Sequence, residues 1–157
     1  RRNTYAILNS ILSAGMTSRL FHNIRERYGF AYTIYSFIDT FKTTGLFGVY
    51  VATDLKHVDA LNDLIWKEFK NLKKHGISEN ELKKVKAQTK GALVMGIESM
   101  HHRLERMIQQ HVRYNEIISI DESLKKIELV TPQDILELSN TIFDESAFYS
   151  LLLKPSR

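Results

Sequence analysis

A chain of 157 residues that is 43% hydrophobic and 25% charged is about one domain long and holds enough apolar material for a real core. Zero cysteines exclude disulfides, iron–sulfur clusters and thiolate zinc sites, and no run reaches the roughly 18–20 apolar residues that span a bilayer. The net charge of +4 is mild and its lysines are interleaved with Glu and Asp, which predicts a solvated surface and no nucleic-acid groove.

From Arg2 to Ser13, Tyr5, Leu8 and Leu12 recur at the helical period, and Ile7 and Ile11 widen the stripe. Asn9 and Ser10 interrupt it on the other side, and Ala14-Gly15 ends it. Thr17 or Ser18 is placed to cap a second, short helix carrying Leu20, Phe21 and Ile24. Gly29 falls where a left-handed helix terminator is expected. Two alternating runs follow, Ala31 to Phe41 and Gly45 to Thr53, both rich in β-branched and aromatic residues. The Lys42-Thr43-Thr44-Gly45 connection predicts a hairpin, with Phe47, Val49 and Val51 on one face and Gly48, Tyr50 and Ala52 on the other.

Residues 57–143 are helical in pattern. Val58 to Lys74 is amphipathic and closes at His75-Gly76. Ser78-Glu79-Asn80-Glu81 reads as a capping box that opens a helix running to about Asn115. Gly91 and Gly96 each cost such a helix about 1 kcal/mol against alanine, so a bend or tight packing is expected between them. Ser119 to Glu122 and Thr131-Pro132-Gln133-Asp134 are further helix starts, the second with proline at the first helical position. Ala147 to Leu153 predicts a final short strand. Hairpin strands segregated from helices indicate an α+β fold, an antiparallel sheet with helices on one face, as a single domain over residues 1–157.

His101-His102-Arg103-Leu104-Glu105-Arg106 is one residue short of the inverted zinc motif H-x-x-E-H, because Arg106 stands where the second histidine belongs. His111 lies six residues after Glu105 on the same helix and points elsewhere, and a cation at Arg106 would repel a metal. The segment reads as a charged helix face, and no catalytic residue or metal ligand is assigned in this chain.

The stretch Leu8 to Ser36, LNSILSAGMTSRLFHNIRERYGFAYTIYS, closely resembles the second structural domain of the pitrilysin/insulinase-type zinc metalloproteases, the group that includes mitochondrial processing peptidase. Family members carry M-S-S-R-L-F and I-R-E-x-x-G-L-A-Y; here these are Met16 to Phe21 and Ile24 to Tyr32, with Thr17 for serine and Phe30 for leucine. Gly45 to Thr53, Ser78 to Lys86, Lys90 to Arg103 and Val130 to Ile135 resemble further family segments in the same order. The likeness thus extends over nearly the whole chain.

The resemblance implies an arginine and a tyrosine seven residues apart that contact bound substrate, which are Arg25 and Tyr32. It implies that zinc is held by H-x-x-E-H plus a distal Glu on another domain of the same chain or on a partner subunit, and that none is bound by this chain. The implied partners are a peptide or unfolded polypeptide substrate and the zinc-bearing domain, in a homodimer or heterodimer. Read without the resemblance, Arg25 is an ordinary surface helix arginine and Tyr32 an ordinary sheet aromatic. The short Ser13-Ala14-Gly15 turn, in place of a long glycine-rich loop, suits a bacterial-type relative of the cytoplasm or periplasm. The chain begins at Arg1 without Met and inside the first family helix, so a longer parent is expected. Lacking the preceding strand, this piece is expected to be marginally stable or to pair with a second copy through an open sheet edge. The expected function is therefore the substrate-binding, non-metal domain of a zinc endopeptidase, inactive alone. The alternative is an assembly domain of a catalytically inactive homologue.

Overall fold

The computed structural model describes residues 2–41 and 43–154. Four apolar side chains at helical spacing, Ile7, Leu8, Ile11 and Leu12, are buried on α1 (Arg2–Ser13), which forms the centre of the fold. One side of α1 packs on β1 (Ala31–Thr40), which pairs antiparallel with β2 (Gly45–Thr53) in a two-stranded sheet. Its other sides meet α3 (Glu79–Gly96), α5 (Ile120–Glu128) and α6 (Pro132–Ile142), while α2 (Val58–His75) packs on α6. This is the expected α+β arrangement of helices against a hairpin sheet.

The polar residues that interrupt the α1 stripe have partners. Ser36 of β1, itself buried, donates to Asn9 Oδ1 at 2.7 Å and lies 2.9 Å from Ser13 Oγ. Thr89 of α3 donates to Ser10 Oγ at 3.1 Å. Buried hydroxyls and amides cost free energy unless bonded, so this polar seam fixes the rotation of α1 between sheet and helix.

The sheet follows the expected alternation. Phe47, Val49 and Val51 pack toward the core, whereas Tyr35 and Tyr50, directly opposite in the ladder, stack on the outer face with centroids 5.1 Å apart. The Phe37 ring covers Gly48, where an added Cβ would run into it. Lys42 of the hairpin connection lies outside the described residues. The Phe41 N–H donates to the Thr44 carbonyl at 2.8 Å. An aromatic cluster of Phe47, Phe69, Phe143, Trp66 and Phe148 closes the far end of the core, with Phe69 and Phe143 stacked at 4.2 Å.

Several expectations are corrected. The helix expected from Ser78 to about Asn115 is two helices, α3 and α4 (Met100–Tyr114). The break comes just after Gly96, where the side chain of Ser99 accepts the His102 N–H and starts a new helix. Gly91 lies inside α3, and an added Cβ at either glycine would meet nothing within 4 Å, so neither marks tight packing. The Ser78 box forms by half: Ser78 Oγ accepts the Glu81 N–H at 3.2 Å, but the Glu81 carboxylate is bound to Arg19 instead. Thr131 and Asp134 do complete a reciprocal box. Among the described residues Ser18 makes no side-chain cap bond; its hydroxyl donates back to the Gly15 carbonyl at 2.7 Å. Residues 147–153 form no strand. A short 3-10 turn (Glu145–Ala147) precedes an irregular segment whose Tyr149, Leu151 and Leu153 are exposed; with no neighbouring strand, it has no ladder to join.

Candidate functional site

The short helix after the Gly15 turn runs over residues 19–28 and contains a π-helical turn, Phe21–Glu26. Leu20 and Ile24 bury its inner edge completely. Beside them, the Arg19 guanidinium grips both Glu81 oxygens at 2.8 Å and donates to the Gly76 carbonyl at 3.3 Å. Such bidentate charged bonds are both strong and directional. Asn23, one turn on, donates to Glu68 Oε1 at 2.9 Å. Burial raises the Glu68 carboxyl above the usual glutamate range, against the opposing pull of Arg19 and the Asn23 hydrogen bond.

With its inner face tied down on both flanks, the turn presents the other face to solvent. There His22 and Glu26 are bonded at 2.8 Å, and Arg25 is exposed with its guanidinium 4.9 Å above the Phe21 ring. π-Turns are rare in proteins and are found disproportionately at functional positions.

The helix ends at a junction of few residues. The Gly29 N–H donates to the Arg25 carbonyl at 3.1 Å, and Gly29 has the positive φ of 65° that glycine adopts without steric cost. Phe30 follows, its ring stacked on His57 at 4.3 Å, and Thr53 Oγ1 donates to the Phe30 carbonyl. The ladder then skips a residue. Ala31 pairs with Thr53 and Thr33 with Ala52, leaving Tyr32 as the extra residue of a bulge. Bulges re-aim side chains and concentrate beside active sites. Tyr32 is 64% exposed. The nearby Asp54 carboxylate, through its hydrogen-bonding pull and its negative charge, holds the phenol above the ordinary tyrosine range.

Arg25 and Tyr32 therefore sit at the two ends of one clamped junction, both exposed. Among the described residues no hydrogen bond joins them to each other. Together they offer guanidinium donors, a positive charge and one phenol, a set suited to holding a polar backbone. Two residues of this region went unassigned in the sequence. Arg19 lies inside the M-x-S-R-L match, but its partner Glu81 is 62 residues away. Asp54 becomes visible only once the hairpin register and its bulge are counted.

The His101–Arg106 segment lies on α4. Arg106 turns away from any ligand role: it donates to Ser123 Oγ at 2.6 Å and to the Ile118 carbonyl at 3.4 Å, tying α4 to the start of α5. Partial burial lowers its pKa. Among the described residues no three His, Cys, Asp or Glu side chains converge as a metal site would need. No helix among the described residues is long and apolar enough to cross a membrane.

Comparison with known proteins finds a family. Residues 1–89 match the family described as the peptidase M16 inactive domain. A zinc protease of Streptomyces coelicolor, itself uncharacterized, is 30% identical over 152 residues, which is 97% of this chain and 33% of that protein. The fold is shared with a protease from Helicobacter pylori at a TM-score of 0.81 and 18% identity, covering 92% of this chain and 35% of the other. A chain of complex III2 of Candida albicans superposes at a TM-score of 0.75 and 22% identity, over 90% of this chain and 36% of that one. The chain spans about a third of the length of the zinc proteases it matches. With more than half its residues within that family match and a 30% identical relative along nearly all of it, the chain belongs to the peptidase M16 family, as its inactive domain.

Proposed function

We propose that this domain binds peptide substrate for a zinc-dependent endopeptidase, with Arg25 and Tyr32 contacting the peptide opposite a zinc-bearing domain of the same polypeptide or of a partner subunit. The observation that carries this reading is the coincidence of two local irregularities in one short stretch. A π-turn presents Arg25, a bulge presents Tyr32, and the junction between them is fastened by Gly29, Phe30 and Thr53. Both side chains are exposed.

The zinc of the opposing domain would supply an activated water and polarise the scissile carbonyl. What this chain adds is charge and hydrogen bonds. Arg25 donates toward the carbonyl oxygen, where negative charge accumulates in the transition state. Tyr32 fixes the peptide backbone beside it. Delivering these groups from a separate domain makes closure of the two halves a condition of catalysis.

The test is cleavage of an unstructured, internally quenched peptide by the full-length protein, with and without a chelator. Arg25→Ala is expected to lower kcat roughly 100- to 1000-fold, as loss of one preorganised donor does elsewhere. Tyr32→Ala weakens turnover as well, with zinc content unchanged in both. Cleavage indifferent to both substitutions overturns the reading. A second reading, an assembly domain without catalysis, draws on the shared fold with the complex III chain. It is the one to adopt if no chelator-sensitive cleavage is found.

A further inference from the structure

The side chain that reaches out of the π-turn is Asn23. Within Phe21–Glu26, His22 and Glu26 bond to each other, Arg25 lies over Phe21, and Ile24 is buried in the core. Among the described residues, Asn23 is the one side chain of the turn hydrogen-bonded to another element, its amide donating to Glu68 Oε1 on α2 at 2.9 Å. A π-turn lengthens the hydrogen-bonded backbone ring by one residue, and its rotation is then set by what its side chains grip. Glu68 is an unusual residue for that grip. Its second oxygen, Oε2, is buried with no hydrogen-bonding partner among the described residues, which disfavours the charged form. Arg19 of the short helix and Lys67 of α2 favour ionisation and Glu81 of α3 opposes it, but burial outweighs the attraction. Packing alone does not call for a buried, half-paired carboxyl, and groups of this kind concentrate at functional sites.

We infer that Glu68 is a positioning residue for Arg25: its carboxylate grips Asn23, seats the π-turn on α2 and so sets where the Arg25 guanidinium meets the peptide. This rests on the peptide-binding reading above. Asn23 and Arg25 flank the buried Ile24, so a turn that rotates about Ile24 carries the guanidinium with it. Arg19 holds the start of the same helix to Glu81 and to the Gly76 carbonyl, which leaves the rotation of the later turn to Asn23. Displacing a reacting or stabilising group by about 1 Å can cost on the order of 100-fold in rate. Because Arg25 acts on the transition state, such a loss appears in kcat rather than in KM. Charge matters to the grip as well, since an ionised carboxylate accepts a hydrogen bond more strongly than a neutral acid. Ionisation of Glu68 therefore weakens the fold and tightens the turn, two effects of opposite sign.

The experiment combines kinetics of the full-length protein on the quenched peptide with thermal melts of the same samples. Asn23→Ala and Glu68→Ala are each expected to lower kcat roughly tenfold, with KM changed by less than about twofold. Asn23→Ala removes only an amide at the edge of a helix, so it folds even where Glu68→Ala does not. Glu68→Gln, whose amide oxygen still accepts from Asn23, should keep most of kcat. In an Arg25→Ala background, Asn23→Ala should cost less than about a further twofold. As pH rises, kcat of the wild type relative to Glu68→Gln should rise while its relative Tm falls. The inference is overturned, and the peptide-binding reading stands, if Asn23→Ala leaves kcat unchanged or costs as much without Arg25 as with it. It is overturned likewise if relative kcat and relative Tm move together with pH, for Glu68 then serves the fold alone. Cleavage indifferent to Arg25→Ala overturns the peptide-binding reading and the positioning role with it, so that one variant tells the two failures apart.

Discussion

Glu68 shows how a single carboxyl can set a pH response. Its Oε1 accepts from Asn23, but Oε2 is buried with no hydrogen-bonding partner among the described residues. Burial disfavours the ionised form, so the folded protein holds this proton more tightly than the unfolded chain does. Its contribution to stability is thus fully present below the ordinary glutamate pKa near 4.5 and is lost as pH rises through the elevated folded value. Glu68→Gln should remove that loss. Thermal melts across pH 4 to 8 are expected to show the wild type falling relative to the variant as pH rises, and a constant difference would refute this. None of this was legible in the sequence, where Glu68 is one of three acidic residues on an amphipathic helix. Arg25 and Tyr32 could be picked out from their motif, but the nearness of Asp54 to Tyr32 could not, because it depends on a one-residue offset in strand pairing.

Elements were legible where local chemistry alone decides them. The hairpin strands, α1 and the proline-started α6 stand essentially where periodicity and caps put them. Errors arose where a tertiary partner decides. Glu81 is drawn from its capping box by Arg19, and residues 149–153 cannot become a strand without a neighbour. The break between α3 and α4 was signalled by Ser99, a good N-cap hidden within a strong helical pattern. On α4 no side chain is buried, and Met100, Leu104, Ile108 and Val112 form an exposed stripe at helical spacing. The helix is fastened by polar ties: Arg106 to Ser123, and Arg113 and Tyr114 to Thr40 at 3.0 Å each. Arg106→Ala should cost about 1 kcal/mol, allowing for its partial exposure. It should also speed amide exchange in α4 while leaving α1 protected. Equal acceleration in both helices would mean that Arg106 supports the core as a whole.

At the scale of the molecule, everything is arranged around α1, with the sheet on one side and α3, α5 and α6 on the others. The candidate site lies at the margin of this arrangement, on a helix–strand junction whose inner side is anchored and whose outer side is open. The segment after Ala147 starts against α2. Its Phe148 ring is 5.0 Å from Trp66 and 5.8 Å from Phe69, while Tyr149, Leu151 and Leu153 beyond it are exposed. Trp66 is the sole tryptophan of the chain, so its fluorescence comes from one known place. Phe148→Ala should red-shift that emission by admitting water to the indole, and unchanged emission would show that the ring contact does not shield it. In the intact chain the same indole becomes an optical gauge: light emitted from one residue reports whether the C-terminal segment is seated or lifted, without any added label.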